Sequence, residues 1–138
     1  MSNRFSKMLL MIAAFTFVVF VGFQGATSGQ TKDRLERGRK LYTQYCASCH
    51  GMDGKGSGPV KAALKVAPTD LTTLAQRNGG KFSAQDVQFH INGENDIPAH
   101  GSKEMPVWGS YFRSASGQGV ATLNINALTK YLEAIQVK

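Results

Sequence analysis

The chain has 138 residues, 42% hydrophobic and 18% charged, with 16 Lys and Arg against 9 Asp and Glu for a formal charge of +7. That suffices for one small globular domain with a thin core and excludes a multidomain architecture. The basic residues are dispersed and have no aromatic stacking platform, so nucleic acid is a poor partner for them.

At the N-terminus Arg4 and Lys7 precede an apolar run from Met8 to Phe23, the n-region and h-region of an export signal. The run includes Thr16 and Gly22 and falls short of the ~20 apolar residues of a spanning helix. The small residues Ala26 and Ser28 lie just beyond it. We therefore expect residues 1–28 to be a signal peptide cleaved after Ser28, with 29–138 as the mature domain, periplasmic or otherwise exported. The alternative is an uncleaved anchor, which would be the chain's one direct membrane contact.

From Thr31 the pattern becomes helical, with Leu35, Leu41, Tyr42 and Tyr45 on one face. Asp33 and Glu36 fall near the expected start of this helix, where they would oppose its macrodipole. Gly38 is costly in mid-helix unless another element packs closely against it, and Tyr131 from the last helix is the expected neighbour.

This helix runs into Cys46-Ala47-Ser48-Cys49-His50. Two thiols at i and i+3 share a helical face and can bond both vinyl groups of one porphyrin, and the following imidazole offers a nitrogen to the iron. A tetrahedral zinc site would need a second ligand pair, and the other histidines, His90 and His100, are too far apart to supply one. A redox disulfide would need a βαβ setting, of which there is no sign. The motif therefore implies one haem c, covalent through Cys46 and Cys49, with His50 on the iron. Such a group would form part of the core.

Gly51, Gly54, Gly56 and Gly58 then make a turn-rich passage closed by Pro59. Short helices are expected over Val60 to Lys65, over Leu71 to Arg77 with Asp70 as cap, and from the capping-box pattern at Ser83 to Asp86 as far as Gly93. No segment shows strand alternation, and there is no internal repeat. The class is all-α.

The second iron ligand is sought in the stretch from Ile97 to Gly109. Met52 is tied to the same side as His50, whereas Met105 precedes Pro106, which favours the extended backbone of a loop able to bring its sulfur to the other side. His100 is the rival ligand. Trp108 is expected against the porphyrin edge, donating its N–H to a propionate, or else as an ordinary core aromatic. His90 is expected at or near the surface. The last helix carries Ile125, Leu128, Tyr131, Leu132 and Ile135 on one face, with Asn124 capping its first turn.

Together, CASCHG at 46–51, Gly58-Pro59, PTDLT at 68–72, MPVWG at 105–109 and the final ALTKYLEAI helix resemble the exported bacterial monohaem cytochromes c of class I, over about residues 33–138. The resemblance implies the cytochrome c fold, with N- and C-terminal helices crossing and short helices and loops wrapped round one haem. It implies His50 as proximal and Met105 as distal ligand, places Leu71 among the cofactor-binding residues, and assigns to Pro59 the carbonyl that holds the proximal imidazole.

With both axial positions filled by protein, the iron would change oxidation state without rearranging ligands, which describes an electron carrier and not an enzyme. The alternatives are a haem c subunit of a larger oxidoreductase or respiratory complex and, if Met105 does not ligate, a five-coordinate sensor or peroxidase-like protein. Loss of residues 1–28 leaves 14 basic against 9 acidic side chains. Lys55, Lys61 and Lys103, with Arg113 a weaker member, are then candidates to ring the haem edge and meet an acidic docking surface on a redox protein: an oxidase, reductase or dehydrogenase.

Overall fold

The computed structural model describes residues 26–93 and 105–137, and every regular element among them is helical. The export signal, His100 and Lys103 were all expected in segments that lie wholly or largely outside these residues. The larger compact unit spans Arg34–Lys138 and is the one concerned below. The smaller unit is described only over residues 26–33, which are helical.

Helix α1 (Ala26–Tyr45) leads to α2 (Ala47–His50), one turn carrying the second half of the cysteine motif. Two 3₁₀ turns, Lys61–Ala63 and Leu71–Thr73, precede α3 (Leu74–Arg77) and α4 (Ala84–Asn92). The long α5 (Trp108–Ala134) is two helices joined end to end at Gly117, whose φ of 79° and ψ of 165° are non-helical. A β-carbon would meet nothing there, so it is the left-handed φ, not crowding, that selects glycine.

α1 crosses α5 where Gly38 removes the obstacle. A Cβ at residue 38 would overlap the Ala127 carbonyl and come within 2.8 Å of Tyr131 Cβ, so the expected partner of Gly38 is the observed one. One turn on, the Tyr42 and Tyr131 rings lie 5.1 Å apart between centroids. Tyr42, Phe112 and Leu128 are almost wholly buried, each contributing roughly 1.5–3 kcal/mol by removal from water. Leu41 and Tyr45 pack against this cluster, while Leu35, at the margin of the predicted face, stays 37% exposed.

Two expectations about helix ends need correction. Asn124 does not cap the last helix: it is buried inside α5, and its Oδ1 accepts from Arg37 Nε at 3.0 Å and Nη2 at 2.6 Å. Ser114, Ser116, Gly117 and Gly119 interrupt the apolar periodicity ahead of Asn124 and so hide the helix that precedes it. Similarly Asp33 and Glu36 lie beyond the first turn of α1, and Glu36 pairs with Arg39 instead of serving the helix start.

The local signals in the middle of the chain fare better. Asp70 Oδ1 accepts from the Thr72 amide at 2.8 Å, and Ser83 Oγ accepts from the Asp86 amide at 3.3 Å. α4 ends on Gly93 in the left-handed conformation, φ 74°. The helix expected over Val60 to Lys65 contracts to the three-residue turn Lys61–Ala63, and that over Leu71 to Arg77 divides into a 3₁₀ turn and α3.

Candidate functional site

The glycine passage returns the chain to α2 through backbone bonds: Gly56 N–H donates to the His50 carbonyl at 2.8 Å, Gly58 N–H to Cys49 at 3.0 Å and Val60 N–H to Ser48 at 3.1 Å. Gly51 and Gly56 hold φ of 80° and 76°. Side chains are excluded at Gly56 by the Pro68 carbonyl and at Gly58 by that of Ser48. From the core, the buried Tyr42 hydroxyl donates to the Gly51 carbonyl at 2.6 Å, a clamp on this loop that no motif announced. Burial raises the Tyr42 pKa, so the phenol keeps the proton it donates.

This wrapping sets the orientation of His50. Its Nδ1 lies 2.9 Å from the Thr69 carbonyl oxygen. A carbonyl only accepts, so Nδ1 carries the proton and Nε2 keeps its lone pair for a metal. Burial lowers the His50 pKa, partly offset by the Thr69 bond, which favours the neutral, ligating form. The assignment of the carbonyl to Pro59 is therefore corrected to Thr69. Pro59 is exposed, and its neighbours on both sides bond back to α2, whereas the turn after Pro68 directs Thr69 at the ring. The signal was present in PTDLT, read there as a helix start and not as an acceptor.

Cys46 and Cys49 are half-buried and form no disulfide with one another. Burial, followed by the neighbouring Cys49, pushes the Cys46 thiol up to about 12. Two thiols one turn apart, a tautomer-locked imidazole directly after them and a side-chain-free glycine cradle form a donor set that fits covalent haem. A metal ion held by three or more His, Cys, Asp or Glu has no counterpart among the described residues.

The remaining candidates are placed as follows. Leu71 is half-buried against the core, and its N–H donates to Gly54 at 2.7 Å. Met105 is 40% exposed, its thioether not absorbed by the apolar core, while Met52 is 67% exposed on the glycine passage. Trp108 opens α5 within an aromatic cluster, 5.3 Å from Tyr45 and 5.8 Å from Tyr111 between centroids. Gly93 and Gly109 let the end of α4 and the start of α5 touch: a Cβ at 93 would strike Val107 at 2.5 Å, and one at 109 would strike Asn92 Oδ1 at 2.5 Å. Met105 is thus carried just outside a closed helix junction. His90 is exposed, its Nδ1 2.8 Å from the Asp86 carbonyl, and Lys55, Lys61 and Arg113 are exposed. Among the described residues, no helix is long and apolar enough to cross a membrane.

No curated protein and no solved structure matches the chain. The family model for cytochrome c matches it over residues 35–136.

Proposed function

The chain belongs to the cytochrome c family, and from that premise we propose that it is a carrier of single electrons, with His50 and Met105 the axial ligands of its haem. Membership brings the all-α cytochrome c fold, covalent haem c and haem-based electron transfer. The bound group supplies a one-electron iron couple.

The protein's part is to hold and tune that couple. Cys46 and Cys49 anchor the porphyrin covalently, so that no folding fluctuation releases it. His50 presents Nε2 while Thr69 holds Nδ1, an arrangement that raises the basicity of the ligating nitrogen and fixes its plane. Met105 supplies the second donor, from the loop that leads through Pro106 into α5. Held by both His50 and Met105, the iron would have no position left for a substrate, and the protein would act as a carrier and not an enzyme. Export by residues 1–28 places it in the periplasm, where it exchanges electrons with redox proteins that present acidic surfaces to Lys55, Lys61 and Lys103.

The observation that supports this reading is the His50–Thr69 bond, because it occupies Nδ1 and leaves Nε2 as the nitrogen available to the iron. Potentiometric titration of the haem-loaded protein tests it. A single one-electron wave, low-spin spectra in both states and no binding of carbon monoxide to the reduced form are expected. A high-spin reduced form that takes up carbon monoxide would mean an open iron site and a different function.

A further inference from the structure

The segment that carries Thr69 is held from the far end of the chain. Gln136, just beyond α5, donates through Nε2 to the Leu71 carbonyl at 2.8 Å and to the Leu132 carbonyl at 2.6 Å. Its Oε1 accepts from the Ala75 amide at 2.9 Å. Nε2 faces only carbonyls and Oε1 only an amide, so the chemistry admits one orientation of the side chain and uses both ends of it. The next residue adds a main-chain bond, Val137 N–H to the Thr72 carbonyl at 2.9 Å. On the opposite side, Leu71 N–H is bound to Gly54, in the loop that wraps His50.

We infer that Gln136 is a positioning residue for the proximal ligand: it pins the Leu71–Ala75 turn to the end of α5 and thereby holds the Thr69 carbonyl on His50 Nδ1. The inference rests on the reading of His50 as an axial ligand. The physical route is short. Thr69 is two residues from Leu71, and the Asp70 side chain locks the intervening turn through Thr72 N–H and Oγ1. Freeing the Leu71 carbonyl and the Ala75 amide lets that turn move off the imidazole. A weaker acceptor at Nδ1 makes Nε2 a poorer donor, which disfavours the ferric state and raises the potential.

The test compares haem-loaded Gln136→Met, which keeps length and bulk but none of the three bonds, with Gln136→Glu, which keeps the acceptor for Ala75 and loses both donors. Gln88→Met is the control, since it removes a similar bond, Gln88 to Asn126, away from the turn. Both Gln136 variants are expected to shift electron exchange with a fixed mediator at least threefold toward the reduced protein, about 28 mV by the one-electron conversion of 59 mV per tenfold. They should also speed solvent exchange of the His50 Nδ1 proton, and Gln88→Met should do neither. A shift under threefold, or one matched by Gln88→Met, overturns the proposal. Should the variants not fold, hydrogen exchange on the wild type decides. The Ala75 and Val137 amides, which bridge the two segments, should exchange within fivefold of one another, and a larger difference would show that they do not open as one unit. Failure of the ligand assignment would show separately, as a wild-type spectrum without an axial imidazole.

Discussion

Gly38 lies against Tyr131 so closely that a Cβ at residue 38 would sit 2.8 Å from the Tyr131 Cβ while overlapping the Ala127 carbonyl. Because the obstruction is backbone, no rotamer change relieves it. Gly38→Ala gains up to about 1 kcal/mol in helix propensity. It should nevertheless lose about 1–3 kcal/mol overall, since the crossing must spread to admit the methyl group. Urea denaturation of the holoprotein measures this, and an unchanged or raised midpoint would show that α1 and α5 do not depend on the close approach.

Arg37 and Asn124 tie the same two helices by charge-assisted bonds at 2.6 and 3.0 Å. Asn124→Leu keeps the volume and leaves the guanidinium without that acceptor, at a cost of about 1.5–3 kcal/mol. Arg37→Met in the same chain should recover most of the loss, because the unpaired charge goes with it. Equal stability of the single and double variants would mean that the pair contributes through packing alone.

Asp70 gives a pH signature. Its hydrogen bond from Thr72 comes first among the causes that hold its pKa below the usual 3.8, with Arg77 and Lys55 adding attraction. A depressed folded-state pKa makes the contribution complete above the unfolded value and loses it as pH falls through the folded one. Wild type should therefore exceed Asp70→Asn in stability at neutral pH, with the gap closing as pH drops below about 4. A gap that persists undiminished at pH 2 would place the effect in the shape of the cap and not in its charge.

How much of this could be read beforehand depends on the range of the interaction. The Ser83 and Asp70 caps, the Gly93 stop and the glycine passage are decided within a few residues, and they stand where the pattern put them. Even the Gly38 crossing was legible, since glycine in mid-helix demands a neighbour. The cysteine motif carries its chemistry in its spacing. The cap expected at Asn124 fails because its partner, Arg37, is 87 residues away and the glycines ahead of it interrupt the helical pattern. Thr69 was missed for a related reason: a backbone acceptor has no side-chain signature, and Pro59 was the first proline after the motif. Gln136 bonds to residues 61 and 65 positions earlier, so no local pattern announces it.

The basic side chains Lys55, Lys61 and Lys103 are expected to steer docking on an acidic redox partner. The bimolecular electron-transfer rate should then fall steeply with ionic strength, and Lys→Glu at each of the three should slow it more than Lys→Glu at Lys138. A rate indifferent to salt would leave the basic excess to solubility and favour a permanently bound haem subunit.

Ligation by Met105 is the centre of the account, and the weak red sulfur-to-iron charge-transfer band of the ferric protein tests it most directly. The band should be present in the wild type and in His100→Ala, and absent from Met105→Ala, which should also bind added imidazole. A band that survives Met105→Ala, together with a ferric spectrum disturbed by His100→Ala, would contradict the assignment.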